Sequence, residues 1–281
     1  MPSGDPLAVH ALIAGKYRVL DRIDDGSMSI VARARVEGPS TIGVGNLVAL
    51  KVLHPDLAGD PELVERFRRE ARALGRVRSP HAVRMYEVVE IPPPCMVMEW
   101  LEGEDLDHRV AEDGPLPVDE AVRAIVEACD AISEAHALGI IHRDLKPANL
   151  FLTPTGVKVI DFGIAKDALT PETSLTGTGA AMGSPLYMAP EQIRCERVDA
   201  RADVWALGVT LYELLVGVTP FESEVPAMVL AGILGRSAPP IRDDRPDVSE
   251  RLEAIVFRCL EKDKSGRFAS ASALAEALED L

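Results

Sequence analysis

Residues 142–163 read HRDLKPANLFLTPTGVKVIDFG. Two carboxylates (Asp144, Asp161), three cations (Arg143, Lys146, Lys158) and one amide (Asn149) fall in this short stretch. Its second half holds two apolar runs, NLFLT and VKVIDF, joined by Pro154, Thr155 and Gly156, the pattern of a strand pair closed by a turn. Upstream, VDEAVRAIVEACDAISEAHALG (118–139) repeats apolar residues at helical spacing and stops at Gly139, which predicts a long amphipathic helix. Arg143, Asp144, Lys146 and Asn149 therefore lie on a loop between a helix and a strand pair, and Asp161 at the end of the second strand. There, a carboxylate such as Asp144 can orient a hydroxyl and accept its proton. Lys146 can place an ammonium on a phosphate, and Asn149 and Asp161 offer the hard oxygen donors that suit Mg²⁺.

Toward the N-terminus the pattern shortens to strand length. YRVLDRI (17–23), IVARARV (30–36) and LVALKVL (47–53) read as strands, and EGPSTIGVGN (37–46) as the loop between the last two. DPELVERFRREARALGRV (60–77) is a helix with Asp60 as N-cap and Pro61 at its first position. HAVRMYEVVEI (81–91) and CMVMEWL (95–101) add two strands around a proline turn. A strand-rich first third and a helical remainder predict an α+β protein of two lobes, divided near 99–103. Residues 204–221 are almost wholly apolar but hold Glu213 in mid-run, which marks a buried helix and not a membrane span. The Gly/Ser/Thr-rich stretch 169–185 is long for a loop, and such loops are usually functional.

Composition narrows the partners. Thirty basic against 45 acidic residues give a net charge of −15, which opposes nucleic acid as the main ligand. A 47% apolar content supports a buried core. Cys95, Cys129, Cys195 and Cys259 are scattered, with no CxxC pair and no zinc spacing, as expected of a reduced, cytoplasmic protein. The N-terminus lacks the basic region and apolar core of a secretory signal, and no membrane contact is expected within this chain.

Four motifs occur in order: VALK ending at Lys51, HRDLKPAN at 142–149, DFG at 161–163 and APE at 189–191. In these, and over residues 17–278, the sequence resembles the eukaryotic-like (Hanks-type) serine/threonine protein kinases, the bacterial branch most closely. The resemblance implies an N-terminal extension (1–16), a β-rich N-lobe with one regulatory helix (17–98), a hinge (99–103) and a larger, mostly helical C-lobe (104–278). It implies transfer of the ATP γ-phosphate to Ser/Thr hydroxyls of proteins, with Mg²⁺, or Mn²⁺ in its place. Asp144 would orient the acceptor hydroxyl and Lys146 would meet the γ-phosphate. Asn149 and Asp161 would hold the metal, and Lys51, steadied by Glu70, would hold the α- and β-phosphates. Lys146 in DLKPAN points to serine/threonine and not tyrosine acceptors. Ile23 and Val31 would roof the adenine pocket, Ala49 flank it and Phe151 form its floor. Met98 would be the gatekeeper, and backbone groups of Glu99 and Leu101 would read the adenine edge. His142 would pack in a spine with Leu74, Met85 and Phe162. Asp203 would anchor the loop backbone, and Arg267 would pair with Glu191.

The phosphate-covering loop departs from the family pattern GxGxxG. Asp24, Gly26 and Ser29 occupy the three positions, so Gly26 alone remains. Asp24 sets a carboxylate where a polyphosphate would lie and should weaken its binding. The alternative reading is a pseudokinase-like scaffold that binds nucleotide poorly. Thr176 and Thr178 are the expected phosphorylation sites, set by autophosphorylation through a transient homodimer. By resemblance Arg66, Arg143 and Lys166 would receive the new charge. Ser184 stands where the family usually has Thr.

Overall fold

The β-branched runs near the N-terminus pair into one antiparallel, six-stranded sheet of order β1-β2-β3-β4-β6-β5. Its strands are β1 (Leu12–Ile13), β2 (Tyr17–Asp25), β3 (Ser29–Val36), β4 (Leu47–Leu53), β5 (Met85–Val89) and β6 (Cys95–Glu99). The structure, a computed structural model, describes residues 7–26, 28–38, 42, 46–90, 93–162 and 185–281. Two compact units make up the chain, Met1–Arg78 with Val83–Glu102, and Ser79–Ala82 with Gly103–Leu281.

In the first unit the register sets Val31 opposite Lys51 and Ala49 opposite Met98. Side chains alternate along a strand, so these four share one face of the sheet. Ile30, Ala32, Ala34, Val48, Leu50 and Val52 take the other face and are buried with Tyr17 and Val19. The unit's helix, α1 (Pro61–Leu74), starts as its sequence requires: Asp60 accepts the amides of Glu62 (2.8 Å) and Leu63 (3.4 Å), and Pro61 follows the cap. β1 was not foreseen, since two residues carry no pattern. The strand expected from 81 begins only at Met85, because the other unit claims the backbone before it. His81 O accepts Val159 N at 2.8 Å, and Ser79 N donates to Glu134 at 2.5 Å.

The second unit holds a three-stranded sheet, β7 (Glu104–Asp105), β8 (Leu150–Thr153) and β9 (Gly156–Val159). Around it lie α2 (Leu106–Asp113), α3 (Val118–Ala137), α4 (Pro190–Ile193), α5 (Arg201–Val216), α6 (Pro226–Gly235), α7 (Glu250–Cys259) and α8 (Ala271–Glu279). Gly139 closes the turn after α3 at φ +76°. α5 is apolar on every side and buried almost throughout. It ends at Val216, earlier than expected, because Gly217 adopts φ +90° and caps it; Thr219 and Phe221 then fold back into the interior. Among the described residues, no helix is long and apolar enough to cross a membrane.

Candidate active site

In the first unit, Lys51 Nζ on β4 meets Glu70 Oε1 on α1 at 3.0 Å, with both residues under 9% exposed. The strand makes Lys51 face the helix, and α1 turns Glu70 inward with Phe67, Ala71 and Leu74. Val31, Ala49 and Met98 stand on the same sheet face as Lys51. Ile23 does not follow them. The pairing passes from Arg22–Ala32 to Asp24–Val31, so Ile23 is the extra residue of a bulge and is 54% exposed, while Asp24 takes the place opposite Val31. Gly26 follows β2 and donates its amide to Ser29 O at 3.1 Å. The Glu99 amide is already used, bonded to Arg84 O at 2.9 Å, and Leu101 follows β6 half-buried. Arg66, expected to receive a phosphate, donates to Glu62 at 2.5 Å.

In the second unit, Asp203 fixes the loop after α3. Its two oxygens accept the amides of His142 and Arg143, each at 2.8 Å, and His136 Nε2 lies 2.7 Å away. Arg143 is held at φ +65°, a conformation that costs a non-glycine residue and needs this support. Burial lowers the Arg143 guanidinium from its ordinary value, and the charge of Asp203 opposes that. His142 is fully buried, its ring centroid 4.9 Å from that of Phe162, and its Nδ1 accepts the Asp144 amide at 3.2 Å. It packs and holds the loop. The Asn149 amide nitrogen donates to Asp144 O at 2.7 Å and to Asp144 Oδ2 at 3.3 Å. That fixes the orientation of the amide and leaves its oxygen to serve a cation. Asp161 follows β9, and Lys146, half-buried, precedes the turn that ends at Asn149. Phe151, on β8, is half-buried.

Asn149 and Asp161 supply an amide and a carboxylate oxygen, a donor set that fits Mg²⁺ completed by phosphate and water oxygens. Among the described residues, no group of three or more His, Cys, Asp and Glu could hold a metal. Gly163, Lys166, Thr176, Thr178 and Ser184 lie outside the described residues.

Below the loop, Arg267 Nη1 and Nη2 each donate to Glu191 at 2.8 Å, with both residues almost fully buried. Sequence reasoning foresaw this pair and the role of Asp203. It missed His136, whose place in the last turn of α3 signals a helix end but not a partner. It also missed Tyr187, whose hydroxyl donates to Glu213 on α5 at 2.6 Å.

A family model described as protein kinase domain matches residues 17–278. The chain is 39% identical over 266 residues to the serine/threonine-protein kinase PknB of Mycobacterium leprae, covering 92% of this chain and 42% of that protein. It is 40% identical over 283 residues to the serine/threonine-protein kinase Pkn1 of Myxococcus xanthus, covering 98% and 39%. The chain thus spans about two fifths of the length of these relatives. The crystal structure of the Mycobacterium tuberculosis PknI kinase domain superposes with a TM-score of 0.74 at 28% identity over 98% of each chain.

Proposed function

The chain belongs to the protein kinase domain family, and from that premise we propose that it transfers the γ-phosphate of ATP to serine and threonine hydroxyls of proteins. Residues 17–278 form the catalytic domain in this reading. The observation that carries it is the buried Lys51–Glu70 pair at 3.0 Å. A lysine on a flexible stem becomes a fixed phosphate ligand only when a partner orients it. Lys51 then holds the α- and β-phosphates. In the first unit Val31, Ala49 and Met98 contact the base, with Ile23 at the bulge; in the second, Phe151 is its contact. Gly26 covers the phosphates, and backbone groups at Glu99 and Leu101 meet the adenine edge.

Asn149 and Asp161 hold Mg²⁺, with Mn²⁺ as a substitute. The bound ion supplies charge neutralisation on the phosphates. Asp144, its carboxylate steadied by the Asn149 amide, orients the acceptor hydroxyl and takes its proton. Lys146 balances charge on the phosphoryl group as it moves. Thr176 and Thr178 are the autophosphorylation sites, reached in a transient homodimer. Protein hydroxyls and not nucleic acid are the substrates, as the charge of −15 favours. The four free cysteines suit a cytoplasmic setting.

The deciding experiment is phosphosite mapping after incubation with Mg-ATP, for wild type and for Thr176→Ala with Thr178→Ala. Phosphothreonine at either position supports the reading. Nucleotide binding with no transfer to the protein or to an added Ser/Thr peptide would overturn it.

A further inference from the structure

Four side chains form one row across the sheet of the first unit. Asp21 on β2 stands opposite Arg33 on β3, Arg33 opposite Ala49 on β4, and Ala49 opposite Met98 on β6. Directly opposed residues share a face, so Arg33 belongs to the face that carries Val31 and Lys51. Its row is the next one along from theirs, on the side away from Gly26. Asp21 reaches that face through a bulge. Val19 points into the core, and strict alternation would send Asp21 the same way. The pairing passes from Val19–Ala34 to Asp21–Arg33, so Leu20 is an extra residue and Asp21 turns to the other side.

Asp21 and Trp100 together hold the Arg33 guanidinium. Nε donates to Asp21 Oδ1 at 3.1 Å and Nη2 to Asp21 Oδ2 at 2.5 Å, a two-pronged bond that fixes its plane. Its carbon then lies 5.4 Å from the centroid of the Trp100 ring, within the range of cation–π attraction. Trp100 follows the last residue of β6, two positions past Met98 and just before Leu101. The residue before it is tied elsewhere: the Glu99 amide donates to Arg84 O at 2.9 Å, and the Glu99 carboxylate accepts the Arg84 amide at 2.8 Å. The chain leaving β6 is therefore gripped twice, at Glu99 by the residue before β5 and at Trp100 by β3.

We propose that Arg33 is a positioning residue for the nucleotide base: braced by Asp21, it holds Trp100 so that the backbone at Leu101 faces the base contacted by Ala49 and Met98. The inference rests on the ATP-dependent reading above and names a residue outside its four motifs. β6 ends at Glu99, so Trp100 lies past the strand ladder and its ring is the handle by which β3 holds it. A backbone segment ordered before the base arrives need not be ordered by it, and affinity rises accordingly. Arginine suits the task because its planar head bonds a carboxylate along its edge while its charge attracts a ring; lysine supplies only the charge. Nε and Nη2 are spent on Asp21, and the row lies away from Gly26, so the charge acts on the ring and not on the phosphates.

The test measures dissociation constants of Mg-ATP and of adenosine, which has no phosphate, by calorimetry on the full chain. Arg33→Met keeps the length without the charge and should weaken both ligands equally, by about three- to tenfold. Arg33→Lys keeps a cation for the ring and should recover part of the loss. At saturating ATP, kcat for Arg33→Met should stay within about twofold of wild type. Its unliganded melting temperature should stay within about 3 °C, because the Arg33–Asp21 pair is half exposed. Trp100 emission, taken as the difference between each protein and its Trp100→Phe counterpart, should respond to adenosine in wild type and less in Arg33→Met. Weakening confined to Mg-ATP would place the charge on the phosphates and overturn the proposal, as would unchanged affinity for both ligands. A wild type that binds neither ligand would overturn the inference together with the reading it rests on, whereas a binding wild type with unaltered variants overturns the inference alone.

Discussion

Glu213, inside the apolar helix α5, accepts the hydroxyl of Tyr187 at 2.6 Å. Burial is the main force on its carboxyl, and the charges of Asp107 and Glu222 add to it, so the group is pushed up from 4.5 to about 7 against the pull of the Tyr187 bond. The folded protein thus keeps a proton that the unfolded chain has given up. The stability tied to that proton is complete below about 4.5 and is lost as pH rises through 7. Glu213→Gln keeps an acceptor for Tyr187 and removes the titration. From pH 5 to pH 8 wild type should lose about 2 kcal/mol relative to this variant, once solvent screening of a half-buried group is allowed for. Calorimetric melting across that range measures it, and parallel curves would exclude it.

Asp144→Asn should abolish transfer while nucleotide affinity stays within a few-fold, since the proposed contact is with the acceptor hydroxyl. Asn149→Asp should be as damaging for a different reason. It replaces the donor 3.3 Å from Asp144 Oδ2 with a second carboxylate. Mg²⁺ dependence separates the two, because only Asn149→Asp should shift the metal concentration required. Single-turnover assays over a Mg²⁺ series read both effects.

Arg267 and Glu191 form a two-pronged pair, and both residues are almost fully buried. Glu191→Ala strands a guanidinium in the interior and should cost about 3–5 kcal/mol. Arg267→Lys keeps the charge but loses the fork and should cost about 2 kcal/mol or more. Urea unfolding with a double-mutant cycle gives the coupling. A cycle energy near zero would show that packing on Trp205, and not the pair, is what Arg267 contributes.

Asp24 stands opposite Val31, which stands opposite Lys51, so a carboxylate shares the sheet face of the proposed phosphate ligand. Asp24→Gly should lower KM for ATP by about three- to tenfold, the scale of one like-charge repulsion near a surface. Steady-state kinetics at two salt concentrations check it. The gain should shrink at high salt if charge is the cause and persist if the glycine acts by freeing the backbone.

What could be read in advance was what the chain settles locally. Asp60 and Pro61 announce α1, Gly139 ends α3, and Pro154 to Gly156 turn one strand into the next. The family resemblance likewise marked Lys51, Glu70, Asp203, Glu191 and Arg267 before their contacts were known. The misses share a cause, which is competition from distant residues. Residues 81–84 look like the start of a strand, but β9 takes the His81 carbonyl. The apolar run to Phe221 looks helical throughout, yet Gly217 turns the chain so that Phe221 can stack on Trp205. Ile23 and Asp24 exchange roles through a bulge that nothing in their own letters requires. Tyr187 and Glu213 meet only once the helices are assembled.

Asp203 carries a consequence for how the molecule breathes. Its carboxylate caps two consecutive amides, His142 and Arg143, from the start of a helix that is buried almost throughout. Those amide protons cannot meet solvent through a local excursion of the loop, because exposing them requires α5 to withdraw. They should exchange with deuterium as slowly as the centre of α5 itself, at the rate set by cooperative opening of the helical unit. The bend that presents Asp144 is then as durable as the core, and a chain that has lost that bend has already begun to melt.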